Sequence, residues 1–250
     1  MRIHVSRWVS TGPEDNLGRM AEEVRAAVAG GAELVVFPEL FLTGYRGRLD
    51  PAVARDRFAR LSADHPRALL VMGSISEGER NRMTVWAEGD QMAAYDKVHL
   101  FRPNREHEMW TPGDEYVALR WRGLVIGLLN CNDVRFPEQA RTLKLEAGAH
   151  LLVAPAWWPW RRDHIWRMLL GARAAENGCW VVGCAISGSV HPDEPFAGAG
   201  NHVFDPLGEP VRTADDVTYE LGLESPPELV VDPAEQAVDV ERVRVEGLGD

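Results

Sequence analysis

The sequence predicts an α/β protein whose two mixed sheets pack face to face with helices on the outside. Two observations lead there. Along most of the chain, stretches of helical period alternate with short, continuously apolar runs, the mark of strands covered on both faces. Between residues 83 and 129, several strand candidates follow one another with no helix between them. A plain doubly wound sheet suits the first pattern alone. Two mixed sheets with outer helices suit both.

In chain order, "IHVSRWV" (residues 3–9) alternates as a strand does. Leu17, Met20, Val24 and Val28 then share one helical face, and Gly30-Gly31 ends that helix. "ELVVFPE" (33–39) is a buried strand, a helix follows over Val53 to Leu61, and "ALLVMGSI" (68–75) is the next strand. The unbroken series is "MTVWAEG" (83–89), "QMAAYDK" (91–97), "YVALRW" (116–121) and "LVIGLLN" (124–130), with Arg122-Gly123 joining the last two as a tight hairpin. Pro137 opens a helix running to Glu146, since proline suits a first helical turn. "HLLVAPA" (150–156) and "CWVVGCAI" (179–186) are buried strands on either side of a long helix over residues 163–178. "NHVFDPLGE" (201–209) closes in a turn.

No repeat, low-complexity tract or linker marks a boundary, so residues 1–250 read as one domain. Residues 222–250 form an acidic tail, broken by Pro226-Pro227 and Pro233, that can strand-pair only around Ala237 to Val245.

Composition narrows the function. A net charge of -11 argues against nucleic acid and against an anionic membrane surface as partners. Cys131, Cys179 and Cys184 are odd in number and form no CxxC pair, so a reducing cytoplasm is the expected setting. The N-terminal residues lack the apolar core of a secretory signal, and no stretch approaches the roughly 18 to 20 apolar residues of a membrane span. His99 and His107 lie close together without a metal-ligand pattern, so no metal is expected.

Catalytic groups in α/β folds sit at the carboxyl ends of strands, where rigid backbone meets an open crevice. Three apolar runs end that way: one at Pro38-Glu39, one at Asp96-Lys97 and one at Cys131. A carboxylate, an ammonium and a thiol suffice for nucleophilic acyl transfer. Glu39 can take the thiol proton, Lys97 can stabilise the thiolate and an oxyanion, and the N–H of Asn132 is a natural second oxyanion donor. Taken singly, each has a plainer explanation: Cys131 as a small core residue, Glu39 as a solvated strand end, Lys97 as a surface charge. Asp133 and Arg135, just beyond the cysteine, can be a local ion pair or helix cap. Cys179 and Cys184 lie on a buried strand and read as core residues.

Together the segments resemble the nitrilase superfamily of carbon–nitrogen hydrolases. "VVFPELFLTGY", "YDKVHLF" and "CNDVRFPE" are similar to its glutamate, lysine and cysteine motifs and come in the family order. "TPGDE", "HLLVAPAWWP", "ARAAENGCWVVG" and "FDPLGEP" add further matches, so the resemblance spans residues 1 to 215. It implies a four-layer αββα sandwich, with Glu39, Lys97 and Cys131 at the positions of the catalytic triad. It also implies a second glutamate that orders the site. "REHEMWTPG" offers Glu106 and Glu108, and spacing favours Glu106. The implied reaction is hydrolysis of a small amide through a thioester, without cofactor.

Asn132-Asp133 stands where true nitrilases have Trp-Glu, and the motif wording is most similar to ω-amidase-type members, which cleave amides bearing a distal carboxylate. The alternative is an N-carbamoyl amine or amino-acid hydrolase; a catalytically silent scaffold is the third possibility. A carboxylate-bearing substrate needs a cation, for which Arg102, Arg161 and Arg162 are the candidates. Trp157 and Trp158 either narrow the pocket or pack at a subunit interface. A homodimer joined through the helix around Asp163 to Glu176 is expected, with any higher assembly left open.

Overall fold

The computed structural model describes residues 1–190 and 195–223 together with Pro233. The proposed tail strand around Ala237 to Val245 lies outside the described residues. The first sheet grows from β1 (Arg2–Val5); β2 (Val9–Ser10) follows outside it, then α1 (Pro13–Ala29), β3 (Leu34–Val36) and α2 (Pro51–Asp64). The long strands β4 (Leu69–Glu77), β5 (Arg80–Ala87) and β6 (Asp90–Asp96) complete this run, and the short helix α3 (Glu106–Met109) comes after it. The second sheet is built from β7 (Ala118–Trp121), β8 (Leu124–Leu128), α4 (Pro137–Ala147), β9 (Leu151–Ala156), α5 (Asp163–Asn177) and β10 (Trp180–Ala185). Short strands finish the described chain: β11 (Gly188–Ser189), β12 (Phe196–Ala197), β13 (His202–Phe204), β14 (Pro210–Val211) and β15 (Thr218–Glu220).

The two six-stranded sheets have the orders β15-β1-β3-β4-β5-β6 and β14-β13-β10-β9-β8-β7, while β12, β11 and β2 form a third, small sheet. Within each large sheet the middle strands are parallel and the flanking ones antiparallel, the mixed arrangement the sequence implied.

Alternation along each strand explains the continuous apolar runs. In β3, Leu34 and Val36 point between the sheets, where Ile3, Val71, Leu128, Leu151 and Val182 join them. Val35 points outward to Met20 and Val24 of α1 and Phe58 of α2. On the far side, Leu152, Ala154 and Val181 meet Leu143 of α4 and Trp166 and Leu170 of α5. The result is the four-layer αββα sandwich. Asp50 caps α2 by accepting the Ala52 N–H, and α4 and α5 stop at Gly148 and Gly178 in left-handed conformation.

One predicted strand is two. The run at residues 3–9 breaks after Val5, because Trp8 turns into the helix-side core and donates its indole N–H to Phe41 O at 2.9 Å. That break frees β2 to pair with β11. No helix among the described residues is long and apolar enough to cross a membrane.

Candidate active site

Glu39 lies three residues beyond β3, in a turn whose next residue, Leu40, has φ 49°. The neighbouring strand is shaped to admit that turn. Gly73 of β4 has φ 50°, and a Cβ there would stand 1.9 Å from Pro38 O, so any side chain would collide with the backbone that carries Glu39. Ser74 Oγ then accepts the Leu40 N–H at 3.2 Å. The Glu39 carboxylate is fully buried and fully engaged. Oε1 accepts from Lys97 Nζ at 2.7 Å and Asn81 Nδ2 at 2.9 Å, and Oε2 accepts from the Trp157 N–H at 2.8 Å.

Lys97 follows the last residue of β6, and its N–H donates to Asn81 O on β5 at 3.0 Å. Its ammonium is buried between two carboxylates, 2.7 Å from Glu39 and 2.9 Å from Glu106. Burial works against that charge, but Glu39, Cys131 and Glu106 more than offset it, so the amine is held above its ordinary value and stays protonated. Glu106 and not Glu108 is the glutamate that meets Lys97; Glu108 is exposed and pairs with Arg105. The Phe101 N–H and the Tyr45 hydroxyl also donate to Glu106, at 2.7 and 2.8 Å. Burial raises the Glu106 carboxyl above the usual carboxylate range against the pull of Lys97, with Glu39 adding to the rise. One ammonium serves two carboxylates here, and it cannot fully neutralise both.

Cys131 begins a short 3-10 turn, Cys131–Arg135, with φ 53°. A left-handed conformation at a non-glycine residue is strained, and it must be held from outside. Asp133 does much of the holding. Its buried carboxylate accepts the Asn130 N–H (2.8 Å), the Tyr95 hydroxyl (2.6 Å), the His99 N–H (2.9 Å) and His99 Nδ1 (2.9 Å). Asn132 Nδ2 adds a bond to His99 O at 3.0 Å. The cysteine turn is thereby laced to the lysine turn. Asp133 thus caps its own turn and pairs with His99, not with Arg135 as a local ion pair would require.

The Cys131 thiol donates to Trp157 O at 3.9 Å and lies within reach of the Glu39 charge. Burial and the Glu39 charge push the thiol well above its usual range, and Lys97 opposes them only in part. The sulfur is therefore a protonated thiol at neutral pH, beside a carboxylate. Cys184, by contrast, is sealed between the sheets with Sγ 3.3 Å from Val36 O, and Cys179 is in the helix-side core.

A cavity of about 490 Å³ opens above Cys131. Trp157 and Trp158 both line it, as do Asn132, Tyr45 and Phe196. Arg161 and Arg162 line it too, but Arg102 does not: it is exposed on the turn whose Pro103 and Asn104 face the cavity. The cation missed from the sequence is Arg135. Its guanidinium lies 4.6 Å over the Trp158 ring, and its buried Nε has no hydrogen-bond partner. Burial and the nearby Arg162 charge lower its pKa from the usual value. Arg162 lies 5.1 Å over Phe101. Among the described residues, no group of three or more His, Cys, Asp or Glu side chains is arranged to hold a metal.

Comparison with known proteins agrees with this geometry. The model of the carbon-nitrogen hydrolase family matches residues 4–223. The omega-amidase YafV of Escherichia coli K12 is 34% identical over 193 residues, covering 74% of this chain and 73% of that protein. The 2-oxoglutaramate amidase of Bacillus subtilis is 33% identical over 207 residues, 78% of the chain in its own case and 78% here. An amidase of Nesterenkonia sp. AN1, solved with acrylamide added at its active-site cysteine, superposes with a TM-score of 0.77 at 26% identity, covering 90% of this chain and 95% of that one. With a family match across most of its length and relatives above 30% identity, the chain belongs to the carbon-nitrogen hydrolase family of the nitrilase superfamily.

Proposed function

We propose that this protein is a cysteine-dependent amidase that cleaves the C–N bond of a small linear amide and releases ammonia. The observation that carries the proposal is a thiol on the wall of a cavity with a carboxylate and an ammonium, paired with each other, buried behind it. Glu39 takes the thiol proton as Cys131 Sγ attacks the amide carbonyl carbon. The oxygen of the tetrahedral intermediate becomes negative beside Lys97 Nζ and the first-turn N–H of Asn132, which has no acceptor within its own turn by position. Collapse breaks the C–N bond as the amide nitrogen takes the proton held by Glu39 and leaves as ammonia. Water, deprotonated by Glu39, then hydrolyses the thioester to give the free acid and restore the thiol.

The substrate reading is an ω-amide, an amide with a carboxylate at its far end. Arg135, Arg161 and Arg162 line the cavity and have no carboxylate partner among the described residues, in a protein that is acidic overall. The names of the Escherichia coli and Bacillus subtilis relatives support the same class. An N-carbamoyl amino acid presents a carboxylate as well, but would yield carbon dioxide alongside ammonia.

An ammonia-release screen over short neutral amides, ω-amides and N-carbamoyl compounds tests the proposal, with mass spectrometry for an acyl group on Cys131. No ammonia and no adduct across the panel would leave a scaffold of the same fold. We also propose that two copies pair through α5, where Met168 is 63% exposed on the outer face. Sedimentation showing only a monomer at micromolar concentration would end that part.

A further inference from the structure

Glu106 is fully buried and does not line the cavity, although it sits one hydrogen bond from it. The group between them is Tyr45. Its ring forms part of the cavity wall with Cys131 and Trp157, and its hydroxyl donates to Glu106 Oε1 at 2.8 Å. The ring has little freedom to turn away, since it packs against Trp110 (centroids 5.7 Å apart) and edge-on against Trp157 (5.9 Å). Burial holds the phenol well above its ordinary pKa, with the charges of Glu39, Glu106 and Cys131 reinforcing the effect. Tyr45 is therefore a neutral hydroxyl with its proton committed to a carboxylate. A phenol oxygen in that state presents acceptor lone pairs, and a hydrogen-bonded phenol is a better acceptor for having given its proton.

We infer that Tyr45 Oη accepts an N–H of the scissile carboxamide while donating to Glu106, and so selects amides over esters at this site. The inference rests on the amidase reading above and deepens it. The carbonyl end of the scissile group is served by donors, Lys97 Nζ and the Asn132 N–H. An amide differs from an ester in having an N–H, and it is recognised by an acceptor. As the C–N bond breaks and the nitrogen gains hydrogen, the contact is kept, so the leaving group stays oriented toward the proton on Glu39.

The test compares the carboxamide and the methyl ester of one short acid on wild type and Tyr45→Phe, which keeps the ring and its packing. The ratio of kcat/KM for amide over ester should fall about tenfold, the factor that one hydrogen bond realised at the reacting group supplies. Equal losses on both substrates would show that Tyr45 only holds Glu106 in place and would overturn the inference. A second variant covers a folding defect: 3-fluorotyrosine at position 45 makes the hydroxyl a stronger donor and a weaker acceptor without altering the packing. The acceptor role requires the amide-to-ester ratio to fall in that protein also, and a ratio unchanged or raised overturns it. Wild type that releases no ammonia from any amide would overturn the amidase reading itself; a wild-type amidase with an unmoved ratio in the variants removes Tyr45 alone.

Discussion

Strands β1, β3 and β4, with α1 and α2 between them, make a parallel three-stranded unit, and β8, β9 and β10, with α4 and α5, make another. Each unit is extended past its third strand by an antiparallel pair, β5 and β6 in one sheet and β13 and β14 in the other. Each is flanked at its first strand by an antiparallel edge, β15 or β7. The two units nonetheless bring different chemistry to the shared site. The first supplies Glu39 beyond β3 and Lys97 beyond β6, with Glu106 following. The second supplies Cys131 beyond β8, the Trp157 peptide beyond β9 and the arginines of the cavity rim. The reach of the extending pair differs as well: β5 and β6 have eight and seven residues, β13 and β14 three and two. The long hairpin is what carries a lysine to the seam. The proposed base and the proposed nucleophile thus come from different sheets, and the site exists only where the sheets are packed. The bond from the Trp157 N–H to Glu39 and those from the lysine turn to Asp133 cross that seam.

Removing one group from each unit is the strongest way to break this contrast. Cys131→Ala should abolish ammonia release while the thermal unfolding midpoint stays near wild type, because only a sulfur is lost at a cavity wall. Cys184→Ala, also in the second unit but sealed between the sheets, should lower the midpoint and leave ammonia release intact. Loss of activity in both variants alike would erase the distinction between a reactive strand end and a packed one. In the first unit, Lys97→Ala leaves two buried carboxylates facing each other. It should cost about 3–5 kcal/mol of stability, the usual result of removing one partner from a buried ion pair. It should also lower kcat far more than it alters KM, since the oxyanion contact proposed for Lys97 is made in the transition state. Denaturant unfolding and steady-state kinetics read the two losses separately.

The same contrast explains what the sequence could disclose. Glu39, Lys97 and Cys131 were legible because each is a reactive polar residue that ends an apolar run, a local signal. The large strands and α1, α4 and α5 were legible because their periods extend over enough residues to be counted. The two-residue strands β2, β11, β12 and β14 have no period to read. Glu106 was distinguished from Glu108 by resemblance and spacing, and the physical reason, a bond to Lys97, appears only in three dimensions. Arg135, Tyr45 and the longer ties of Asp133, whose cap on its own turn was readable, escaped for one reason. Their partners lie between 23 and 61 positions away or in a cavity wall assembled from both units, and no local pattern announces such a pairing.

Asp133 offers a way to sharpen the comparison, since its carboxylate is the principal tie between the lysine turn of one unit and the cysteine turn of the other. Asp133→Ala leaves the Asn130 and His99 N–H groups and the Tyr95 hydroxyl without their acceptor. Unsatisfied buried donors cost about 1–3 kcal/mol each, although some of these groups can find new partners as the turn relaxes. The unfolding midpoint should therefore drop, and ammonia release should drop with it as Cys131 leaves its left-handed conformation. A variant that loses stability but keeps full turnover would show that the cysteine turn keeps its shape without the tie.

The smallest expected effect concerns the charge balance of the first unit. A carboxyl whose folded pKa is raised binds its proton more tightly in the folded state than in the unfolded one. Between the ordinary carboxylate value, about 4.3, and the raised folded value, the folded protein therefore holds more protons, and stability falls as pH rises through that window. Glu106 is such a group. Glu106→Gln, which mimics the protonated acid in shape, should lack this component of the slope. The midpoint of the variant, measured against wild type from pH 4 upward, should then improve in relative terms as pH climbs and level off above the folded pKa of Glu106. Midpoints that run parallel across the whole acid range would mean that Lys97 satisfies both carboxylates equally. Glu106 would then stay ionised through that range, and its charge would add to burial and to the charge of Glu39 in holding the Cys131 thiol up.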